Sequence, residues 1–259
     1  MSESVKKRLV VKVGTSTLTH ATTGKTNIRM MNRLVSVLAD LHNMGHEVLL
    51  VSSGAVGVGL GKLNMSDRPT EIKALQAAAA IGQSELMFLY DKLFGEYNII
   101  VSQLLFTTDD LENEAEKRHL TDTFNQLLAY RAIPIVNEND SVSVEELQCG
   151  DNDRLSAYVA VLTEADMLVM LTDTDGLYDS NPAENPNARL IDTVTAITPE
   201  IAAAAGGSGK KGTGGFVTKI EAAKIATASG VPVVIMNGQQ PENIYKVMNG
   251  ESVGTKFLV

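Results

Sequence analysis

Short apolar runs alternate along the chain with longer segments of helical periodicity. The runs are rich in Val, Ile and Leu and have the length of β-strands. Their near-continuous apolar content is typical of strands covered on both faces, and the segments between them are long enough for crossover helices. The pattern therefore predicts an α/β fold, a three-layer αβα sandwich around a mainly parallel sheet. The predicted strands are residues 9–13, 48–52, 99–104, 133–137, 167–172 and 231–236.

Helical periodicity is clearest in residues 28–44, where apolar side chains recur at three- and four-residue steps and Gly45 supplies a stop. This segment is interpreted as a packing helix without chemistry. Other helices are predicted at residues 71–94, 109–130 and 216–230.

Residues 202–215 shift sharply towards small side chains and contain AGGSGKKGTGG. Such a stretch is typical of a mobile loop, and the alternative is a plain linker between two domains. A predicted helix and strand continue the fold directly after it, which favours the loop.

Composition and charge narrow the class of protein. The 259 residues are 44% hydrophobic and 20% charged, enough for one substantial core or two modest ones. A net charge of −9 would repel a phosphate backbone, so we expect no nucleic-acid partner. The lone Cys149, a start without a secretion signal and the absence of long apolar runs favour a cytoplasmic protein with no membrane role.

Two early motifs contain candidate anion-binding groups. VVKVGTST places Lys12 inside the first strand and Gly14 at its end, and a lysine there needs either a solvent-facing position or an anionic partner. The second strand ends at Ser52 and runs into GAVGVGLG, which begins at Gly54. Its glycines and helix-start amides resemble a phosphate or carboxylate cradle, without the dinucleotide-binding order of glycines.

Polar residues then follow several strands at the edge where open α/β sheets usually bind ligands. In isolation each group has a structural alternative: an Asx-rich turn, a helix cap or a simple turn. Their joint occurrence at successive strand ends favours a ligand site. The residues are Asn137 and Asp140 in NENDSVS, Asn152 and Asp153 in GDNDRLS, and Thr172 and Asp173 in LTDTDG.

A last motif, KKGTGGFVTK, leads into the helix at residues 216–230. Its lysine follows Gly-Gly and three further residues, so it is not a Walker A loop. Phosphate binding would have to use another scaffold.

Together these motifs resemble the amino acid kinase family, and within it the members that phosphorylate the side-chain carboxylate of free glutamate. The similarity spans nearly the whole chain in the family's order, with Phe216 where the family pattern suggests Met. It implies one kinase domain, with an amino-acid lobe at about residues 1–165 and a nucleotide lobe at about 166–259. A second departure is expected at the end, near KFLV, where the chain does not continue into the RNA-modification-type domain that many relatives append.

The resemblance also assigns roles. Lys12 and Lys219 would hold the transferring phosphoryl group, and Asp153 would organise both lysines. Glutamate would lie against Ser52, Gly54, Asn137, Asp140 and Asn152, and ATP against Lys12, Gly14, Thr172, Asp173, Thr213, Gly214, Gly215, Phe216, Val217, Thr218 and Lys219.

Mechanistic expectations follow from this assignment. The reaction is expected to use ATP and Mg²⁺. Because a carboxylate is already ionised near neutral pH, it needs no general base. No protein side chain is assigned to Mg²⁺. Asp140 would pair with the free α-ammonium. The resemblance also implies feedback inhibition by proline and assembly into a homo-oligomer (dimer or tetramer).

The alternative functions are those of a family member acting on N-acetylglutamate, aspartate, carbamate or a nucleotide monophosphate, and of a non-catalytic amino-acid sensor.

Overall fold

Eight β-strands form one sheet in the computed structural model, which describes residues 5–20, 23–65, 67–143, 152–182, 184–206 and 214–259. The strands match the predicted apolar runs closely, and two short strands near the C-terminus are added. They are β1 (Arg8–Val13), β2 (Glu47–Ser52), β3 (Val101–Phe106), β4 (Ile133–Glu138), β5 (Met167–Thr172), β6 (Thr193–Val194), β7 (Val233–Asn237) and β8 (Thr255–Phe257).

The helices connect the strands as crossovers and cover the sheet. The helices of the described residues are α1 (Thr15–Leu18), α2 (Ile28–Asn43), α3 (Ala55–Lys62), α4 (Ile72–Gly95), α5 (Glu114–Ala129), α6 (Asp153–Leu162), α7 (Pro199–Gly206), α8 (Gly214–Ala228) and α9 (Asn243–Met248). A 3₁₀ turn at Asp109–Leu111 precedes α5.

The strand order is β3-β4-β2-β1-β5-β7-β8-β6, and every pair except β7–β8 is parallel. This confirms the predicted α/β class with a mainly parallel sheet. From β1 the chain builds outward to both sides, so the carboxyl ends of β2, β1 and β5 meet at a switch point in strand order. Such a point is where open parallel sheets leave a crevice for ligands.

Two apolar cores lie on the two faces of the sheet. Alternate residues of β1 point to opposite cores: Val11 and Val13 join α2, α4 and α9, whereas Val10 joins α5, α6 and α8. The layers are therefore helix, sheet and helix, as predicted. Strand β1 is central and buried on both faces, which leaves no solvent-facing position for Lys12.

Two predicted boundaries were wrong. Helix 109–130 is interrupted, because the side chain of Asn113 accepts a hydrogen bond from the Ala115 amide and starts α5 afresh. The loop predicted at 202–215 is already helical up to Gly206 and again from Gly214, since the alanines before Gly206 favour the helix of α7. Residues 207–213 lie outside the described residues.

Gly59, in the glycine-rich segment after β2, and Gly82 lie where two helices cross. A Cβ on Gly59 would lie 1.9 Å from the Ala78 carbonyl oxygen, and one on Gly82 would lie 1.8 Å from that of Ala55. These glycines let α3 and α4 cross in backbone contact. Gly54, with φ of 106°, begins α3 at the sheet edge. Because α4 crosses α3 so closely, its side chains reach the ends of β2 and β4.

Candidate active site

Three charged side chains that the sequence places in separate motifs converge on one point. Lys12 Nζ lies 2.6 Å from Asp153 Oδ1, and Lys219 Nζ lies 2.9 Å from Asp153 Oδ2. Lys12 is 3% exposed, Lys219 7% and Asp153 0%. This Lys12–Asp153–Lys219 cluster places two ammonium groups on one carboxylate at the sheet edge, an arrangement suited to an anion.

Secondary structure holds each member of the cluster. Lys12 belongs to β1, where it is in register with Val51 of β2 and Met170 of β5. Asp153 is the first residue of α6, and an acidic side chain is favoured at a helix N-terminus. Thr218, in the first turns of α8, donates a 3.0 Å hydrogen bond to Asp153 Oδ2. Asp153 is thereby fixed from three sides.

Beside the cluster lies a buried chain of side-chain amides. The Asn152 amide nitrogen donates to Asn137 Oδ1 at 2.6 Å and to Ser53 Oγ at 3.1 Å. Asn137 in turn donates from Nδ2 to Gln83 Oε1 at 2.8 Å. Asn137 and Asn152 are each 1% exposed. Because Asn152 precedes Asp153, the amide chain and the charged cluster meet at the start of α6.

Two acceptor oxygens of this region stay open. Asn152 Oδ1 and Asp140 Oδ1 are buried, and neither has a hydrogen-bond partner among the described residues. A buried acceptor without a partner costs free energy, which a ligand that donates hydrogen bonds would recover. Burial raises the pKa of Asp140 to about 6, although the positive charge of Arg68 acts in the opposite direction.

Ser52 lies at the end of β2 and is completely buried. Its hydroxyl is 2.8 Å from the Tyr90 hydroxyl and donates to the Ser53 carbonyl oxygen at 3.1 Å. Since Ser52 has a single hydroxyl proton, Tyr90 is the donor in the first contact. Burial raises the pKa of Tyr90, so this phenol stays protonated at any working pH.

The residues predicted to bind nucleotide lie on the β5 and α8 side of the cluster. Thr172 ends β5 and is buried, with its hydroxyl directed to the exposed Asp173 carboxylate at 3.2 Å. Gly14 begins α1, and a Cβ there would lie 3.7 Å from Lys12 Nζ. Gly214 and Gly215 begin α8, which continues through Phe216, Val217 and Lys219. Thr213 lies outside the described residues.

A cavity of about 350 Å³ adjoins this side, between α7 and α8. Val217, one of the predicted nucleotide residues, forms part of its wall. Its lining is mostly apolar on the surface facing the cavity. The other lining residues are Ile197, Thr198, Pro199, Ala202, Ile220, Glu221 and Lys224.

Within the described ranges, no three His, Cys, Asp or Glu side chains come together as a metal site. Each carboxylate oxygen of Asp153 already contacts a lysine, Oδ1 with Lys12 and Oδ2 with Lys219. Over the same ranges, no helix is both long and apolar enough to cross a membrane.

The structure also adds three residues that sequence reasoning missed. Gln83 and Tyr90 lie on α4, seven residues apart, and contact Asn137 and Ser52 respectively. Arg68 lies close enough to Asp140 to act on its charge. Nothing distinguished Gln83 and Tyr90 along the chain, since α4 has the composition of an ordinary packing helix.

Comparison with known proteins gives one consistent result. The model of the amino acid kinase family matches residues 7–237. The protein named glutamate 5-kinase in Clostridium perfringens is 50% identical over 257 residues, covering 97% of this chain and 95% of that protein. Its namesake in Listeria monocytogenes serotype 4b is 51% identical, covering 99% and 95%. Among solved structures, carbamate kinase from Giardia lamblia bound to AMP-PNP aligns with a TM-score of 0.68 at 17% identity, covering 98% of this chain and 99% of that chain.

Proposed function

This chain belongs to the amino acid kinase family, and we propose that it transfers the γ-phosphoryl group of ATP to the side-chain carboxylate of L-glutamate. The product is L-glutamyl 5-phosphate, the activated acid that leads towards proline. The observation that carries the proposal is the buried Lys12–Asp153–Lys219 cluster next to two open acceptors, Asp140 and Asn152. The names of relatives at about half identity support the same substrate.

The chemistry needs positioning more than proton transfer. A glutamate carboxylate oxygen attacks the γ-phosphorus, an O–P bond forms, and the bond to the bridging oxygen of ADP breaks with its electron pair. The nucleophile is already ionised near neutral pH, so no general base is required. The obstacle is repulsion between two anions, which Lys12 and Lys219 would offset on the transferring oxygens. Asp153 would keep both ammonium groups in place.

Glutamate recognition would use the amide and carboxylate groups at the ends of β2 and β4. Asp140 offers a negative charge to the α-ammonium, and Asn152 Oδ1 offers a second acceptor. Ser52, Asn137 and the backbone at Gly54 would complete the pocket. An N-acetylated substrate carries no ammonium group, so it would leave the buried Asp140 without its counter-charge.

ATP would lie across the carboxyl end of β5 and the start of α8. The first amides of a helix have no partner within the helix, so the start of α8 suits phosphate oxygens. Thr213 to Lys219 with Gly14, Thr172 and Asp173 would border the nucleotide. The apolar cavity beside Val217 supports placing the base between α7 and α8. Mg²⁺, when bound with ATP, would neutralise charge on the phosphate oxygens.

Three further features belong to the proposal. Proline shares an α-amino carboxylate with glutamate, so it could occupy the same acceptors and inhibit the enzyme. The reaction would take place in the cytoplasm, where ATP is available. Self-association is supported by large apolar side chains that stay exposed on α4 and on the segment leading to β3. These are Ile81, Phe88, Tyr97 and Ile100.

The decisive experiment is ADP release with Mg²⁺ and ATP in the presence of hydroxylamine, which traps an acyl phosphate as a hydroxamate. Glutamate should give ADP and γ-glutamyl hydroxamate in equal amounts, whereas N-acetylglutamate, aspartate and carbamate should give neither. A reaction without acceptor measures idle ATP hydrolysis. Turnover of another acid would move the substrate within the family, and glutamate binding without ADP would indicate a sensor.

A further inference from the structure

Gln83 lies at the end of the amide chain furthest from the charged cluster. It is half-buried on α4, and its Oε1 accepts the hydrogen bond from Asn137 Nδ2 at 2.8 Å. The Glu138 backbone N–H can only donate, so Asn137 Oδ1 faces it and Asn137 Nδ2 faces Gln83, whose acceptor oxygen stabilises this orientation. Asn137 Oδ1 then points the other way, where it accepts from the Glu138 backbone amide at 3.0 Å and from Asn152 at 2.6 Å.

The orientation passes from Asn137 to Asn152. An acceptor at Asn137 Oδ1 requires Asn152 to turn its nitrogen inward, and Ser53 Oγ accepts from the same nitrogen. Asn152 Oδ1 is therefore the atom left open in the pocket. If Asn137 were reversed, its nitrogen would oppose both the Glu138 amide and the Asn152 nitrogen. Relief of that clash would turn Asn152 and present a donor in the pocket, which disfavours an ammonium group.

We infer that Gln83 is a positioning residue which, acting through Asn137, keeps the Asn152 carbonyl oxygen turned towards the substrate ammonium and so selects amino acids with a free amine. The inference rests on the proposed function, since it names how that substrate is recognised. Gln83 has no role in the charged cluster, from which two asparagines separate it.

The test compares glutamate with glutarate, the same diacid without an amine, in steady-state kinetics with glutarate as substrate or competitive inhibitor. Gln83→Met removes the acceptor at similar size. It should raise the KM for glutamate about tenfold, with the KM for ATP and the constant for glutarate changed by less than about twofold. Gln83→Glu keeps an acceptor oxygen and should restore most of the glutamate affinity.

Gln76→Met is the matched control. Gln76 lies two helical turns earlier on α4, is also half-buried, and contacts the Ser141 carbonyl oxygen without touching the amide chain. It should leave the ratio of glutamate to glutarate affinity unchanged.

Equal weakening of glutamate and glutarate by Gln83→Met would mean general loosening and overturn the inference, as would no change in either constant. Failure of the proposed function looks different, because the wild-type protein would then form no hydroxamate from glutamate. Thermal unfolding of each variant confirms that the compared proteins are folded.

Discussion

Lys12 and Asp153 form an ion pair of 2.6 Å between the central strand and the first residue of α6, almost entirely withdrawn from water. A pair so deeply buried costs more desolvation free energy than an exposed one. A second lysine, Lys219, shares the same carboxylate. Two ammonium groups on one carboxylate favour binding of an anion, which gives the cluster a role beyond stability.

Loss of a cluster lysine should therefore affect turnover more than binding. We expect Lys12→Met to lower kcat at least about a hundredfold, with a change of less than about threefold in the KM for glutamate, because the charge acts on the transferring phosphoryl group. The coupled ADP assay measures this. Lys62→Met, which removes an exposed ion pair with Glu85, is the control and should be neutral. Unchanged turnover in Lys12→Met would exclude the assigned role.

Asp153→Asn tests the organising carboxylate. The substitution keeps the shape but removes the carboxylate that the two buried ammonium groups share. We expect kcat to fall with unfolding destabilised by about 3 kcal/mol, measured by urea denaturation. Full stability together with full activity would show that the two lysines do not depend on Asp153.

The pKa of Asp140, raised to about 6 by burial, predicts pH dependence in substrate binding. Binding of an ammonium group needs the ionised carboxylate, so the KM for glutamate should rise by up to about tenfold per pH unit below about pH 6, with kcat at saturation less affected. Asp140→Asn should have a higher KM that is independent of pH in this range. A wild-type KM that stays flat down to pH 5 would contradict the assignment.

Stability should change in the opposite sense. Because the folded-state pKa lies above the unfolded value, Asp140 favours the folded state most at low pH, and this contribution is lost as pH rises through about 6. Asp140→Asn should thus be more stable than the wild type at pH 7.5, by on the order of 1 kcal/mol, and equal to it near pH 4. Urea unfolding at both pH values measures the difference.

Particular residues show which parts of the fold and of the site can be predicted from the sequence. Apolar runs predicted β5 without error and the other long strands within two residues, because burial on both faces leaves an unambiguous pattern. The motifs named Lys12, Asp153 and Lys219, which the fold brings together. Gln83, which contacts Asn137, and Tyr90, which contacts Ser52, could not be predicted, since their contacts depend on how α4 crosses α3. That crossing depends on Gly59, in a glycine-rich stretch, and on Gly82, in an alanine-rich helix, and neither sequence context distinguishes a packing glycine.

The hydrogen bond between Tyr90 and Ser52, which the sequence did not predict, can be tested by mutation. The Tyr90 hydroxyl donates to Ser52 at the end of β2, so Tyr90→Phe keeps the ring but frees the Ser52 hydroxyl to reorient. We expect a rise of about threefold to tenfold in the KM for glutamate, with the KM for ATP unchanged. Tyr130→Phe is the control, because Tyr130 is 69% exposed. Equal effects of both substitutions on the KM for glutamate would refute a specific role.

The glycines at the crossing of α3 and α4 give the sharpest test of the fold. Gly82→Ala would place a methyl group 1.8 Å from the Ala55 carbonyl oxygen, and two packed helix backbones have no flexible side chain that can move aside. We expect destabilisation of several kcal/mol or failure to fold. Gly61→Ala in the same region meets only the Lys25 Cα at 4.0 Å. It should be neutral or stabilising by up to about 1 kcal/mol, since alanine favours a helix. Thermal unfolding separates these outcomes, and similar behaviour of the two variants would mean that α3 and α4 do not approach as closely as the structure has them.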